Sequence, residues 1–391
     1  MIKKSLIPLS LGGLSIGTTE FVMMGLLQDV AGDFSITIPQ AGYFISAYAL
    51  GVVIGAPLLV AAGGKYPPKK ILLFLMGMFV VFNGLTAFAP DKNWMFVFRL
   101  LSGLPHGAFF GVGSVVASNL ADKGKEALAV SIMFAGLTIA NMAAVPVGTY
   151  IGHHFSWRFT FGLIAAIGLI TVLFIQLWLP VMPGARKASL ADELSFFRSP
   201  QAWFLIAITS IGTGGLFAWI SYISPIMTDV AGFDKENVPY IMILAGLGMV
   251  VGNLIGGKLS DATSPATACM ISLLAIVGCL VINFFIDTNP IAALVMTFMT
   301  GVITFSLGTP IQMLMIRTAG DAAMLGAAAT QASFNMGNAL GAFLGGLPIA
   351  MGYGLTSSLL VGVAMALTGV GLLWWFISFS KNKSLAESTV A

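Results

Sequence analysis

The sequence is poor in charge. Of its 391 residues only 8% are Asp, Glu, Lys or Arg, against roughly 25% in an ordinary soluble domain. Hydrophobic residues make up 58% and mean hydropathy is +0.96. A water-soluble fold of this composition would have too little polar material to cover its surface, whereas a bilayer lets helices be apolar outside as well as inside. Cysteine is nearly missing. Cys269 and Cys279 fall in one expected helix, about 15 Å apart along its axis, which excludes a disulfide between them. Only three histidines occur, and the His153–His154 pair has no third ligand at a convincing spacing, so no metal site is expected. There is no Gly-rich loop ending in Lys-Ser/Thr, no Gly-x-Ser-x-Gly elbow and no Cys/His cluster. These absences argue against an ATP-driven motor, an enzyme and a bound cofactor. The net charge of +3 is spread among loops and points to no nucleic acid.

Long apolar runs are what the chain has in abundance. A span needs about 20 apolar residues, and twelve candidates follow: 6–27, 41–62, 71–89, 95–120, 127–152, 159–179, 202–227, 238–259, 267–285, 291–316, 325–350 and 355–379. The expected fold is an all-α membrane protein of twelve transmembrane helices in two six-helix halves. Residues 1–182 form the N-terminal half, 183–200 a hydrophilic linker and 201–391 the C-terminal half. The basic start of Met1–Leu27 lacks a small-residue cleavage pattern, so it is read as a retained first helix. With both termini in the cytoplasm, 14 of the 18 Lys and Arg residues fall inside and only Lys92, Arg158 and Lys235 outside. This is a strong positive-inside signal. Trp94, Trp157, Trp203, Trp374 and Trp375 sit near span ends and read as interface anchors.

An internal repeat supports the division. Asp29-Val-Ala-Gly32 recurs as Asp229-Val-Ala-Gly232, and an offset of 197 aligns Tyr43, Gly51 and Gly55 with Tyr240, Gly248 and Gly252. The same offset pairs Asn141 with Asn338 and Gly148 with Gly345. Duplicated halves place a solute pathway at their interface.

Few polar groups lie within the spans, and each needs a reason. Glu20 is a carboxylate inside the first span; at that depth it must face a cavity, find a partner or stay protonated. It is either a proton- or substrate-coupling acid or a structural acid bonded across helices. Arg99 is the one basic residue within a helix core, with His106 two turns further along nearly the same face. Glu20, Arg99 and His106 could form a relay, although Arg99 could equally snorkel and a lone histidine could simply pack. Pro105 and Pro146 should bend the fourth and fifth spans. Gly136 and Gly148, around Pro146, permit close approach and sliding. Asn141, Asn338, Gln312, Gln331 and Asn335 either meet a solute or tie helices together. Phe134, Phe217, Trp219 and Tyr222 line an amphipathic pocket or pack in the core.

Three segments together resemble a known family. Thr19-Glu-Phe-Val-Met-Met-Gly-Leu-Leu-Gln28, Arg99-Leu-Leu-Ser-Gly-Leu-Pro-His-Gly-Ala-Phe-Phe-Gly111 and the stretch from Ala135-Gly136 to Val145-Pro-Val-Gly148 are similar to motifs of the major facilitator superfamily. The likeness is to its twelve-helix drug:proton antiporter branch, near the bacterial arabinose-efflux-permease-like members. The resemblance covers essentially the whole chain and implies a proton-driven secondary transporter in a bacterial inner membrane. It would be active as a monomer among membrane lipids and export a small organic solute that is drug-like, a sugar or another metabolite. Arg99 then occupies the position associated with proton coupling. The family's cytoplasmic latch is degenerate here. Lys65, Lys69 and Lys70 are present, glycine replaces the usual aspartate, and Asp261 in the second half keeps the acid. Uniport or proton-linked import of a metabolite is the alternative, and a non-transporting scaffold or sensor a remoter one.

Overall fold

The computed structural model describes residues 3–63, 66–122, 126–182, 197, 199–286, 288–319 and 323–390. The linker, except for Phe197, Ser199 and Pro200, lies outside the described residues, as does Lys65.

Among the described residues, eleven helical spans are long and apolar enough to cross a bilayer. They are α1 (Lys4–Gly25), α2 (Ile38–Val60), α3 (Pro68–Ala87), α4 (Lys92–Leu120), α5 (Ile132–His154), α6 (Trp157–Trp178), α7 (Pro200–Ile220), α8 (Lys235–Ala262), α9 (Pro265–Ile286), α10 (Pro290–Thr318) and α12 (Ser357–Phe379). Between the last two runs α11 (Ala323–Ala350), a 28-residue helix. At 1.5 Å per residue it is about 42 Å long, more than a bilayer core needs. Each of the twelve expected spans is therefore mainly helical, with breaks at Thr213 and at Ser221–Tyr222 in the seventh and at Ser306–Leu307 in the tenth.

Local chemistry fixes where several of them begin. The Asp91 carboxylate accepts from the backbone N–H of Asn93 and Trp94 at the start of α4. Ser156 caps α6 and Asn289 caps α10, satisfying N–H groups the first turn leaves open. Proline in the first turn of α1, α3, α7 and α10 loses no intrahelical bond.

Packing repeats across the halves. α2 lies on α4 as α8 lies on α10, and α3 on α6 as α9 on α12. Between halves, α2 meets α11 and α5 meets α8. We call the end carrying both termini the terminal end and the opposite one the distal end. Among the described residues, every hydrogen bond and ion pair that crosses between halves lies from the middle of the bundle to the distal end. At the terminal end the polar contacts stay within one half: Lys3 with Asp122, and Thr309 with Asn253.

Two expectations change. Trp157 is buried (3% exposed) and its indole N–H donates to Asp33 at 3.1 Å, so it is a structural tie at the distal end. Trp94, Trp203, Trp374 and Trp375 are exposed, as membrane-interface residues should be. The irregularity near Pro146 is a five-residue π-helical stretch, Ala140–Ala144, closed by Val145 N–H donating to the Ala140 carbonyl. Proline has no N–H to give the carbonyl four residues earlier, and a π turn directly before it absorbs the mismatch. Pro105, in contrast, sits inside a continuous 29-residue helix.

Candidate functional site

Arg99 is the organising residue. It has no exposed surface, and its Nη1 donates to the Thr19 carbonyl and the Thr19 hydroxyl, both at 3.1 Å. Its Nε donates to the Phe44 carbonyl at 3.4 Å. The guanidinium lies 4.4 Å from the centre of the Tyr48 ring and 5.5 Å from that of Phe161, so π faces supply part of what water would. One nitrogen, Nη2, is buried without a partner. Thr19 relays the contact onward: its hydroxyl donates to Asn83 Oδ1 at 2.5 Å, and Asn83 Nδ2 donates to the Phe79 carbonyl at 2.9 Å. A hydroxyl can accept from arginine and donate to an amide at once. α1, α2, α3 and α4 are thus tied around one cation.

Glu20 is the next residue along α1, turned roughly 100° from Thr19. It is buried (6% exposed) and, among the described residues, has no ion-pair partner. The groups acting electrostatically on its carboxyl are Arg99, within its own half, and the side-chain amide of Asn338, from α11 in the other half. Asn338 has no exposed surface, and its side-chain amide is the hydrogen-bonding group that the other half turns toward the Glu20 carboxyl.

The structure joins His106 to Arg99 through a residue that sequence reasoning missed. His106 Nδ1 lies 3.1 Å from the Tyr48 hydroxyl, and Tyr48 carries Arg99 on its ring face. The imidazole also packs 5.3 Å from Phe110, which stacks at 5.0 Å on Phe134. Asn83 was missed too. An amide in the middle of an apolar span is the signal that singled out Asn141, and it applied equally to Asn83.

The other predicted residues scatter. Asn141 lies in the π-helical stretch, and a Cβ on Gly246 of α8 would overlap its carbonyl, so the α5–α8 approach needs glycine there. Gly136 and Gly148, with Pro105 and Pro146, are buried in helix contacts. Phe217, Trp219 and Tyr222 are buried, and the Tyr222 hydroxyl donates to the Ala342 carbonyl at 2.6 Å. Gln312 and Gln331 are half-buried. Asn335 donates to the Gln331 carbonyl at 3.1 Å and leaves its own Oδ1 unpaired. At the terminal end Lys69 donates to the Gln176 and Leu179 carbonyls at 2.8 and 2.6 Å, capping α6. It does not reach Asp261, which is exposed, as is Lys70.

A second polar cluster, also missed, closes the distal end. Asp29 takes His153 Nδ1 at 2.7 Å on one oxygen and Lys235 Nζ at 2.6 Å on the other. Lys235 belongs to the second half. Gln28 Nε2 donates to Thr228 Oγ1 at 2.8 Å and to Asp229 Oδ1 at 3.1 Å, again across the halves. Partial burial alone would raise the Asp29 carboxyl, but the hydrogen bonds and charges of His153 and Lys235 outweigh it and hold it below its ordinary value. The Asp29/Asp229 repeat had marked both acids without showing that each faces the opposite half.

Two related six-helix bundles meeting on buried, incompletely satisfied polar groups are the architecture of a membrane transporter, not of an enzyme. The chain belongs to the Major Facilitator Superfamily, whose family model matches residues 9–345. It is 39% identical over 351 residues to AraJ of Escherichia coli (strain K12), covering 90% of this chain and 89% of that one. It is 37% identical over 381 residues to "Inner membrane transport protein YdhP" of the same organism, covering 97% of each. A more distant relative, 28% identical over 380 residues and covering 96% and 95%, is the "Probable sugar efflux transporter" of Helicobacter pylori (strain ATCC 700392 / 26695). The fold also matches a solved bacterial homologue of the human lysosomal transporter Spinster, with a TM-score of 0.75 at 14% identity over 95% of this chain and 96% of that one.

Proposed function

We propose that the protein is a proton-coupled exporter of small amphipathic organic solutes that works by alternating access. The observation that carries this reading is Glu20, a buried carboxyl without an ion-pair partner, set between Arg99 of its own half and Asn338 of the other. A group that must be neutral or partnered at that depth gains and loses a proton as its surroundings change, and its place beside the opposite half links that exchange to relative movement. Residues 1–182 and 201–391 are the rocking units, and the terminal end faces the cytoplasm of a bacterial inner membrane, as the basic residues favour. The conformation here, tied at the distal end, is then inward-facing. Export agrees with the name borne by the Helicobacter pylori relative.

In this scheme Glu20 takes a proton from the outer side and releases it inside. Arg99 holds the surrounding helices, and Tyr48 and His106 extend the polar path. The solute meets Phe134, Asn141, Gln312, Gln331 and Asn335, with Phe217, Trp219 and Tyr222 shaping the wall. Pro105, Gly136, Pro146 and Gly148 serve as the hinge for the swing, while Lys65, Lys69, Lys70 and Asp261 approach when the terminal end closes. The protein acts as a monomer in the lipid. Proteoliposomes with an imposed pH gradient and a compound panel test the reading. Wild type should show gradient-driven flux, and Glu20→Gln should lose it while retaining solute exchange. Undiminished gradient-driven flux in the variant would overturn the assignment; wild-type flux indifferent to the gradient would favour uniport.

A further inference from the structure

Where the π-helical stretch of α5 passes α1 and α6, the chain leaves a cavity of about 190 Å³. Its floor is Thr18 of α1, Gly148 of α5, and Thr160 and Ile164 of α6, all buried. Its α5 wall is Ala143 and Ala144, too small to fill the space, and its rim is Ile139, Val147 and Leu163, each at least 39% exposed. The two hydroxyls in it are already engaged. Thr18 donates to the Leu14 carbonyl at 2.6 Å and Thr160 to the Gly148 carbonyl at 2.7 Å, and no other lining side chain carries a polar atom. Such a wall gives a water few of the partners it needs, and it would leave the polar end of an amphipathic solute unpaired.

The mouth opens between two membrane spans. Thr160 and Ile167 lie along α6 from its distal start at Trp157 by roughly 5 and 15 Å, the hydrocarbon depth of a single leaflet, about 15 Å. Tyr150 and His154 follow the rim residue Val147 on the same stripe of α5, both exposed, with rings stacked at 4.0 Å. Amphipathic rings in that place suit the level of lipid headgroups.

We infer that the cavity holds one acyl chain of a lipid in the distal leaflet, and that this chain braces the π-helical stretch against α8. The stretch has two working faces. Ala143 and Ala144 line the cavity, while the backbone of Asn141 and Met142 lies against Gly246 of the other half, where a Cβ would meet the Asn141 carbonyl. A chain filling the void restores dispersion contacts that the wall lacks, and it favours the arrangement that contains the cavity, here the one tied at the distal end. Glu20, two residues beyond Thr18 on α1, is turned roughly 200° from it, so the site stands independently of the proposed proton coupling.

The probe is a phosphatidylcholine with a photoreactive diazirine near the end of one acyl chain, built into nanodiscs with the full-length protein and mapped by mass spectrometry. Thr18, Thr160 and Ile164 should be labelled as heavily as Leu173 and Leu177, which face the membrane further along α6. Ala144→Leu, which grows into the cavity, should cut the floor labelling severalfold and leave Leu173 and Leu177 unchanged. Ala143→Leu, at an exposed position, tests the same obstruction with less repacking. Labelling confined to the rim and to Leu173 and Leu177 would mean ordinary lipid contact and overturn the inference. Floor labelling unchanged in both variants, or displaced by compounds the protein transports, would overturn it too. The bracing is read from spin labels on cysteines introduced at Phe88 and Tyr353, exposed distal residues on opposite halves. Replacing straight-chain lipid with methyl-branched diphytanoyl lipid, too wide to enter, should lengthen that distance in wild type and leave Ala144→Leu short. No change in wild type, or an equal change in the variant, would refute the bracing.

Discussion

The two halves share their packing but not their chemistry. Gly51 and Gly55 in α2 lie so close to α4 that a Cβ would overlap the carbonyls of Leu100 and Leu104, and their repeat mates Gly248 and Gly252 stand in the same relation to Phe298 and Val302 of α10. The charged and aromatic residues of the first half's polar site have no such mates. At the offset of 197, Glu20 corresponds to Phe217, Tyr48 to Ala245, Arg99 to Met296 and His106 to Ile303. The first half thus carries the acid, the cation and the imidazole, while the second answers with apolar residues and the Asn338 amide. A duplicated scaffold needs both copies for its swing. It needs an ionisable centre only once, and a second buried charge would add desolvation cost.

The largest effect that would break this comparison comes from the polar half. Glu20→Gln should abolish gradient-driven flux, whereas its mate Phe217→Leu should retain it, both measured as initial rates in proteoliposomes. Next is Arg99→Lys, which keeps the charge but loses the forked geometry and its stacking on Tyr48. With three donor contacts at stake, it should destabilise the protein by about 2–3 kcal/mol, read as a lowered unfolding temperature in detergent. The shared packing predicts equality instead. Gly55→Ala and Gly252→Ala should each cost about 1–3 kcal/mol, because backbone carbonyls cannot step aside for the added methyl, and a several-fold difference between them would end the claim of matched scaffolds.

The smallest effect is at the distal end. Lys235 is more than a third exposed (40%), so solvent screens its bond to Asp29, and Lys235→Gln should favour distal opening by under about 1 kcal/mol. Cross-linking yield between the halves would report it. Asp29 is held below the ordinary carboxylate value of 3.8, so its contribution is fully present above that pH and is lost only as pH falls through the lowered value. This tie should therefore stay in place across the range in which the transporter works.

Much of the fold was legible because bilayer physics writes it in composition. Twelve apolar runs, the Asp29/Asp229 repeat and the offset of 197 gave spans and halves without reference to contacts. The buried charges stood out for the same reason: Glu20, Arg99 and His106 are costly anomalies in apolar helices. What could not be read was which polar groups meet. Tyr48 looks like any span aromatic until its ring is seen beneath Arg99, and nothing local reveals that Thr19 bridges Arg99 to Asn83. The distal cluster was hidden because its members, Asp29, His153 and Lys235, lie more than a hundred and eighty positions apart at the extremes and each sits at an ordinary span end. Trp157 misled for a related reason, since a span-end tryptophan can face lipid or turn inward, and Asp33 decides it.

The most direct test runs the cycle backward. With wild-type protein in proteoliposomes, a transported solute gradient imposed at equal pH should move protons against the solute, seen as a pH change on an enclosed dye, and Glu20→Gln should carry solute without that change. Solute movement by wild type with no pH change, or an equal pH change in the variant, would contradict the account.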